Sequence, residues 1–417
     1  MRRLYNAALL PLAAAAFAYG RWPRRTEGAR LERDQRLGRH LPAVAPGAIW
    51  IHGASVGEAR LAKSLATRLR EAVPGRPLAV SAVTPTGRAI LPGPPLADAA
   101  FYFPLDFPSV QRRAFDALAP GLLLLIETEL WPNTLAEARD RGVPVVLANA
   151  RLAPERFGRY RRLRALYAPM LASLAGVAVP DEAEAERFAA LGVPRGTLRI
   201  TGNLKFEVPL PEVSPDTLRA RLRLDPARPV VAAGSTGAGE DTLVLDAYEA
   251  ARSRVPSLAL LLAPRHPARF EEAATAAAAR GLAVARASRA EPLEGADVLV
   301  VDTIGDLAGL YGIAWAAFVG GTLVPVGGHN LLEPIAAGCT VLFGPETGHV
   351  EEMARTLLAA GAAERVPDAA SLGAAWVRLI EDGALRQRRL DAGRGLLLAH
   401  RGALARTVDL VREVLAA

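Results

Sequence analysis

Polar and ionisable residues follow several apolar, strand-like runs of the chain, at the position where open α/β sheets bind their ligands. Glu58 ends a turn of small residues that includes Ser55 and Gly57 and that opens a helix. A carboxylate in this place can act as a general base, although its interaction with the helix dipole is the simpler explanation for a single Glu. Two more carboxylates, Glu127 and Glu129, end a buried strand, where a solvated loop that caps the next helix is the alternative.

The second half of the chain carries a different set of candidates. A loop of small residues at 233–237 joins a strand to a helix, and its N–H groups suit a phosphate. The loop matches neither the G-x-G-x-x-G pattern of dinucleotide-binding folds nor a P-loop. Candidate substrate contacts in this half are Ser235, Thr236, Arg265, His266, Gly327, Gly328, His329, Asn330 and Glu333. In the first half Ser55, Gly57, Glu127, Glu129 and Lys205 are candidates, although a single lysine after a strand is more often simply exposed.

The segment 320–334 is the strongest of these candidates. A strand ends there in paired glycines, and a helix begins near His329. Asn330 and Glu333 are three residues apart and share a helix face, so a carboxylate can accept both hydroxyls of a ribose while glycine amides and His329 hold a phosphate. A capping box formed by Asn330 and Glu333 is the alternative, and it is compatible with binding.

Short apolar runs alternate with helical patterns along the chain, which is typical of βαβ units with buried parallel strands. A proline-rich stretch at 207–228 separates two such series. We therefore predict an α/β protein with two Rossmann-like domains, at 26–206 and 229–400, a linker with one short helix at 207–228 and a C-terminal helix at 401–417. The predicted strands are 48–51, 78–83, 122–126, 143–147 and 177–179 in the first domain, and 230–233, 258–262, 298–301, 316–319 and 341–343 in the second.

The composition leaves the class of partner open. The 417 residues include 50 Lys and Arg against 43 acidic residues, a net charge of +7, which fits nucleic acid, an acidic membrane surface or a phosphorylated substrate. Cys339 is the only cysteine of the sequence, which excludes an intramolecular disulfide and a multi-cysteine metal site. Its apolar neighbours predict a buried thiol.

Residues 1–25 form a separate segment with the features of a membrane-binding sequence. A nearly uncharged stretch at 7–19 is flanked by five arginines, Arg2, Arg3, Arg21, Arg24 and Arg25. The stretch is shorter than the roughly 20 apolar residues that span a bilayer, which leaves a tilted anchor, an interfacial helix or a cleaved signal peptide. The flanking arginines favour an uncleaved anchor at an acidic membrane face.

Taken together, these segments resemble the Kdo (3-deoxy-D-manno-octulosonic acid) transferases of lipopolysaccharide assembly. The resemblance covers nearly the whole chain and rests on ordered motifs at 55–58, 84–87, 127–133, 149–151, 202–205, 234–236, 264–267 and 327–334. It implies the GT-B glycosyltransferase fold, with two Rossmann-like domains facing a central cleft and a short N-terminal membrane anchor helix at 1–25.

The resemblance also implies a reaction and its partners. Members of the family are inverting transferases that move Kdo from CMP-Kdo to lipid IVA and release CMP at the cytoplasmic face of the inner membrane. The expected partners are therefore CMP-Kdo, lipid IVA and the anionic inner-membrane surface, with no nucleic acid, no metal and no cofactor.

Individual residues match the family's functional positions. Glu58 matches the base that takes the proton of the acceptor hydroxyl as the CMP phosphate departs. Asn330 and Glu333 match contacts to the nucleotide ribose. The remaining matches concern the phosphate, Kdo or the acceptor, and comprise Ser235, Thr236, Arg265 and the amides near Gly327 for the phosphate, and Glu127, Glu129 and Lys205 for Kdo or the acceptor.

The chain departs from the family pattern at two positions. Gly237 stands where a histidine is common, and the segment that ends at His349 also differs. A phosphate contact at either position is left open. The alternatives that remain are another GT-B transferase or epimerase that uses a UDP-sugar, and a non-catalytic basic membrane-surface protein.

Overall fold

The computed structural model describes residues 5–7, 9, 11, 26–152, 154–207 and 213–417. The chain divides into two compact units. Unit 1 comprises Met1–Glu207 and His400–Ala417, and unit 2 comprises Val208–Ala399. Each unit contains one seven-stranded sheet, and all of the strand pairs are parallel.

Strands and helices alternate along unit 1. The strands are β1 (Ala48–His52), β2 (Leu78–Ala82), β3 (Ala99–Tyr102), β4 (Pro120–Ile126), β5 (Val145–Ala148), β6 (Gly176–Val179) and β7 (Leu198–Ile200). The helices are α1 (Glu27–Arg36), α2 (Val56–Ala72), α3 (Pro85–Ile90), α4 (Pro108–Leu118), α5 (Pro132–Asp140), α6 (Pro154–Arg162), α7 (Arg164–Leu171) and α8 (Glu182–Leu191). The strand order is β3-β2-β1-β4-β5-β6-β7, so it reverses between β1 and β4.

The strands of unit 1 are apolar because helices cover both faces of the sheet. Successive residues of β1 pack on opposite sides: Trp50 belongs to one buried cluster, and Ile49 and Ile51 belong to another. Trp50 is fully buried, and its indole N–H donates to the Ser81 hydroxyl at 2.8 Å. The rigid sheet fixes the positions of the loops that leave its carboxyl edge.

Unit 2 repeats this architecture. Its strands are β8 (Val230–Thr236), β9 (Ala259–Pro264), β10 (Val284–Arg286), β11 (Val298–Val300), β12 (Ala316–Val319), β13 (Thr340–Phe343) and β14 (Ala363–Arg365). Its helices are α9 (Pro215–Arg221), α10 (Glu240–Arg254), α11 (Phe270–Ala278), α12 (Leu307–Leu310), α13 (Leu332–Ala336), α14 (Glu351–Ala359), α15 (Ala369–Glu381) and α16 (Gly383–His400). The strand order is β10-β11-β9-β8-β12-β13-β14, and it reverses between β8 and β12.

The chain ends in a helix, at the place where a C-terminal helix was expected at 401–417. The last helix, α17 (Ala403–Ala416), returns to unit 1 and buries Leu410 and Val411 among side chains of the sheet and of α2. Leu410 packs against Gly176, the first residue of β6. The amphipathic pattern of α17 thus has a buried partner inside unit 1, which its position in the sequence did not indicate.

The expected linker at 207–228 contains one short helix, as the sequence predicted. Within this stretch α9 is part of unit 2, where Leu218, Leu222 and Leu224 share a buried cluster with Val230. Prolines at the start of a helix are compatible with helical structure because the first turn needs no N–H donor. Pro215 stands at the first position of α9.

The expected anchor at 1–25 lies mostly outside the described residues. Among the residues that are described, no helix is both long and apolar enough to cross a bilayer. Two residues of this segment contact unit 1: the Tyr5 hydroxyl donates to Asp106 at 3.0 Å, and the Asn133 side-chain amide donates to Asn6 at 2.8 Å.

Candidate functional site

The candidate centre of unit 1 lies where its strand order reverses. At such a point the loops from two neighbouring strands turn to opposite faces of the sheet and leave a crevice at the carboxyl edge. The loop after β1 leads to Glu58, and the loop after β4 carries Glu127 and Glu129. All three side chains are partly exposed.

Glu58 is held by the loop that precedes it. One carboxylate oxygen accepts the Ala54 amide at 2.5 Å, and the other accepts the Ser55 hydroxyl at 3.0 Å. Ser55 in return accepts the Glu58 amide at 3.3 Å, which completes a capping box at the start of α2. Gly53 permits this close arrangement, since a Cβ there would lie 2.8 Å from the Glu58 backbone. Ser55 and Gly57 themselves are exposed.

The carboxylates of unit 1 influence one another. Burial raises the pKa of Glu58, and the charge of Glu127 raises it further. Burial, followed by the charge of Glu58, raises the pKa of Glu129 to about 7. The Trp131 indole donates to Glu129 at 2.8 Å, so the direction of this carboxylate is fixed.

Lys205 joins this centre from a distant part of the chain. Its ammonium pairs with Glu127 at 2.5 Å. Glu127 has a positive φ of 61°, a strained conformation for a residue with a side chain, and this ion pair is one contact that holds it. The structure therefore brings Glu58, Glu127, Glu129 and Lys205 together.

Asn149 connects the loops around this centre. Its side-chain oxygen accepts the Leu204 amide at 2.9 Å, one residue before Lys205. Asn149 is fully buried and has a positive φ of 53°, a conformation that Asn tolerates better than most residues. Its neighbour Arg151 accepts the Thr128 hydroxyl through its carbonyl. These contacts fix the 149–151 motif against the loops of Glu127 and Lys205.

The start of α5, just beyond Glu129, is fixed by Asp106. This carboxylate accepts the amides of Asn133 at 3.0 Å and of Thr134 at 2.8 Å, and the Thr134 hydroxyl at 2.8 Å. Because Tyr5 also donates to Asp106, the amino-terminal segment contacts the helix that follows the carboxylate loop.

The candidate centre of unit 2 lies at the reversal between β8 and β12. Ser235 has a positive φ of 58°, and the pairing of β8 with β9 shifts register around it. The side chain of Ser235 is partly exposed, whereas Thr236 is fully buried and its hydroxyl donates to Asp241 at 2.5 Å. Thr236 therefore has a local structural partner for its hydroxyl.

The two basic residues predicted after β9 lie at the surface. Arg265 and His266 are exposed, and the Arg265 amide donates to the Thr236 carbonyl at 3.1 Å. A third basic residue, Arg269, was missed by the sequence analysis. It pairs with Asp241 and donates to the Thr236 carbonyl at 3.1 Å, so it holds the end of β8 in place.

The loop after β12 contains the remaining candidates. Asn330 donates to the Glu333 carboxylate at 3.1 Å and accepts the Leu332 amide at 3.0 Å, so the predicted pair does form. The charge of Glu333 contributes to the raised pKa of the buried Tyr311 hydroxyl, after burial itself. Tyr311 in turn lies against Gly234, at the end of β8. Tyr311 thus lies beside the end of β8 and is affected by the charge of Glu333.

The glycines of this loop pack against histidines. The His329 ring lies beside Gly321, with Nε2 at 3.1 Å from the position of a Cβ, and the His349 ring lies 2.9 Å from that of Gly327. The Gly328 amide donates to the Gly321 carbonyl at 2.8 Å, and the His349 amide donates to the Gly327 carbonyl at 2.8 Å. His349 is therefore part of this centre.

Gly237, the other departure from the family pattern, has little room for a side chain. A Cβ at this position would lie 2.9 Å from the Val324 side chain. The Gly237 amide donates to Glu240 at 2.8 Å. Glu240 was not among the predicted site residues, because a carboxylate in the first turn of a helix looks the same in sequence whether it is buried or exposed.

A surface groove and Cys339 both lie outside these centres. A groove of about 550 Å³ runs between α10 and α15 and contains none of the candidate residues. Within the part of the chain that the structure describes, no group of three His, Cys, Asp or Glu side chains is arranged to hold a metal ion. Cys339 is buried, and burial raises the pKa of its thiol.

Two α/β units, each with one parallel sheet, give this chain a GT-B-like fold. A UDP-GlcNAc 2-epimerase from Neisseria meningitidis, solved with UDP-GlcNAc bound, has a similar fold: the TM-score is 0.51 at 12% identity, over 88% of this chain and 100% of that chain. At this identity the likeness concerns the fold alone.

The sequence comparisons are more specific than the fold. The family model for 3-deoxy-D-manno-octulosonic-acid transferase (kdotransferase) matches residues 28–208. The 3-deoxy-D-manno-octulosonic acid transferase of Bordetella pertussis is 38% identical over 99% of both chains. That of Haemophilus influenzae is 36% identical over 89% of this chain and 88% of its own. The chain belongs to the family of 3-deoxy-D-manno-octulosonic acid transferases, which confirms the resemblance seen in its motifs.

We expect Glu129→Gln to stabilise the protein above pH 7. The pKa of Glu129 in the folded protein, about 7, exceeds its ordinary value of 4.5, so the folded state binds this proton more tightly than the unfolded chain. Wild-type stability therefore falls as the pH rises between these two values. Gln keeps an acceptor for Trp131 and removes the charge.

The free energy of unfolding from urea titrations, measured at pH 4 and pH 8, tests this expectation. Because the side chain is partly exposed, the gain should be about 2 kcal/mol at pH 8 and should vanish at pH 4. An equal difference between variant and wild type at both pH values would contradict the raised pKa.

Proposed function

We propose that this chain is an inverting glycosyltransferase that moves Kdo from CMP-Kdo to lipid IVA, with release of CMP, in lipopolysaccharide synthesis. The observation that carries the proposal is membership of the Kdo transferase family over 99% of the chain. The ionisable centre of unit 1 and the small-residue loops of unit 2 supply the residue types that such a transfer requires.

Glu58 is the proposed base. The acceptor hydroxyl oxygen attacks the anomeric carbon of Kdo, the bond from that carbon to the phosphate oxygen breaks, and CMP leaves with the electron pair. The hydroxyl proton passes to Glu58. A pKa raised by burial and by the charge of Glu127 makes this carboxylate a stronger proton acceptor than an exposed Glu.

The other carboxylates of unit 1 have supporting roles in this proposal. Glu127 and Lys205 form an ion pair that places one charge of each sign beside the base, where the hydroxyls and the carboxylate of a sugar acid are bound. Glu129, with a pKa of about 7, is partly protonated at neutral pH and can donate a hydrogen bond to substrate oxygen.

The donor nucleotide is assigned to unit 2. Glu333, oriented by Asn330 at 3.1 Å, is the proposed acceptor for the ribose hydroxyls. The phosphate is assigned to Ser235 and to the Gly327 amide, with His329 beside them. Negative charge that develops on the departing phosphate is stabilised best by donors that are already in place before the reaction.

Product analysis tests the donor and the acceptor together. With purified full-length protein, CMP-Kdo and lipid IVA, we expect CMP release and a lipid product whose mass increases by whole Kdo units. Parallel reactions with UDP-sugars serve as the control. Release of UDP from those donors, with no CMP from CMP-Kdo, would replace this proposal by the UDP-sugar alternative.

Glu58→Gln tests the base. Gln can still accept the Ala54 amide through its oxygen and donate to Ser55, so the start of α2 is kept, but it cannot take a proton at neutral pH. We expect kcat to fall by about 10² to 10⁴-fold, with CMP binding within twofold of wild type.

Ser55→Ala is the matched control for the capping role. It removes the hydroxyl that bonds to Glu58 and leaves the carboxylate, so it should cost about 1 kcal/mol of stability and less than tenfold in kcat. Undiminished turnover by Glu58→Gln, or equal losses in both variants, would assign Glu58 to helix capping alone.

We also propose that unit 1 binds the cytoplasmic face of the inner membrane, through residues 1–25 as a single anchor and through a basic surface at the α6–α7 turn. Arg161, Arg162 and Arg164 are exposed there, and Leu163 between them is 42% exposed. Tyr5 lies near Tyr167 of α7, whose charge contributes to the raised pKa of Tyr5 after burial and Asp106. The basic turn is thus close to the described part of the amino-terminal segment.

Replacing Arg161, Arg162 and Arg164 by Ala tests the basic surface. Each arginine contributes about 1 kcal/mol to binding at an anionic membrane. We therefore expect the partition coefficient onto phosphatidylglycerol vesicles, measured by co-sedimentation, to fall at least tenfold, and that onto phosphatidylcholine vesicles to stay unchanged. The control replaces Arg221, Arg289 and Arg388, which are exposed in unit 2, and changes the net charge equally. Equal losses of vesicle binding in the two triple variants would show that binding depends on net charge and not on the α6–α7 turn.

A further inference from the structure

Glu240 makes an unusual set of contacts for a carboxylate. It is fully buried at the first residue of α10. One oxygen accepts the amides of Gly237 at 2.8 Å and Gly321 at 2.6 Å, and the other accepts those of Thr322 at 3.1 Å and Leu323 at 2.9 Å. A buried charge is costly unless it is hydrogen-bonded, and four backbone donors offset that cost.

These four amides come from two different loops. Gly237 follows β8, and residues 321–323 follow β12, the two strands between which the sheet order reverses. The loops approach so closely that a Cβ on Gly320 would lie 2.6 Å from the Ser235 carbonyl oxygen and 2.7 Å from a Glu240 oxygen. Glu240 therefore fastens together the two loops that form the reversal point of unit 2.

Residues 321–323, which Glu240 binds, in turn hold other residues of the centre in position. The Gly321 carbonyl accepts the Gly328 amide at 2.8 Å. The Thr322 hydroxyl accepts the Gly344 amide at 2.8 Å, and the Thr322 carbonyl accepts the Glu346 amide at 2.9 Å. Displacing residues 321–323 would thus move Gly328 and the segment that leads to His349.

Glu240 also supports the conformation of Ser235, in the loop after β8. Its positive φ of 58° is unfavourable for a residue with a Cβ and persists only where the surroundings fix it. The Gly237 bond to Glu240 and the tight packing of Gly320 on Ser235 supply such surroundings.

We propose that Glu240 is a positioning residue for the donor site: an internal anion that holds the β8 and β12 loops so that Ser235 and Gly327 are set for the donor phosphate. The inference rests on the proposed function for the identity of the donor. Because Glu240 already occupies the amides of Gly237 and residues 321–323, the donor phosphate is bound by the remaining groups of these loops. Glu240 itself touches neither substrate nor reacting atoms.

Glu240→Gln removes the second acceptor oxygen and turns an NH₂ group towards backbone N–H groups, which cannot accept it. We expect the Kd for CMP, measured by titration calorimetry, to rise at least tenfold. The KM for CMP-Kdo should rise at least tenfold, while the KM for lipid IVA changes less than twofold. A general loss of folded protein would lower kcat without this split between the two substrates.

Asp297→Asn is the matched control in the same unit. Asp297 accepts the Ala283 amide at 2.9 Å and pairs with Arg252 at 2.7 Å, and it precedes β11, at the amino end of a strand. We expect a loss of thermal stability similar to that of Glu240→Gln, with the Kd for CMP within twofold of wild type. If Glu240→Gln does not fold, Glu240→Asp, which keeps the charge on a side chain too short to reach both loops, takes its place.

Amide hydrogen exchange in the protein without ligand separates this inference from the proposed function. We expect Gly237 and residues 321–323 to lose at least tenfold in protection in Glu240→Gln and to keep it in Asp297→Asn. Unchanged protection, or an unchanged Kd for CMP in a folded Glu240→Gln variant, would overturn the positioning role. A wild-type protein that fails to bind CMP would instead overturn the donor assignment, and the exchange result would still decide the role of Glu240 in holding the loops.

Discussion

The reversal of strand order in each sheet is the constraint from which the candidate centres follow. Parallel strands place all their carboxyl ends at one edge, but only at a reversal do neighbouring loops diverge and leave space for a ligand. In unit 1 this space lies between β1 and β4, and in unit 2 between β8 and β12. Residues that are far apart in sequence, such as Glu58 and Glu127, come together because their strands are adjacent at that point.

The central strands of both sheets were predictable from the sequence, and the edge strands were not. All ten predicted strands form, whereas the four that were missed are β3, β7, β10 and β14, which lie at the edges of the two sheets. A central strand is covered on both faces and needs a continuous apolar run. An edge strand such as β7 is mostly exposed and short, so its sequence lacks that run.

The sequence indicated candidate-site residues that are exposed to solvent. It did not indicate the residues that hold them in place. The carboxylates after β1 and β4 stand out because charge directly follows an apolar strand. Glu240, Asp241 and Arg269 do not, because a charged residue near a helix start is common at surfaces and nothing in its sequence position reports burial. The packing of α17 was not predictable for a similar reason. Assigning a terminal amphipathic helix to one of two units requires knowing which unit has a sheet face that no other helix covers.

Glu58 and Glu240 show how burial assigns different tasks to one residue type at similar places. Each lies in the first turn of the helix that follows the strand at its unit's reversal point, and each accepts backbone amides of the preceding loop. Glu58 is partly exposed, and its pKa is raised by burial and by a second carboxylate, so its proton affinity is tuned where a substrate can reach it. Glu240 is fully enclosed, and its two oxygens are bonded to four amides, which leaves it no access to substrate. The number of amides that each carboxylate accepts therefore distinguishes the partly exposed Glu58 from Glu240, which holds the loops together.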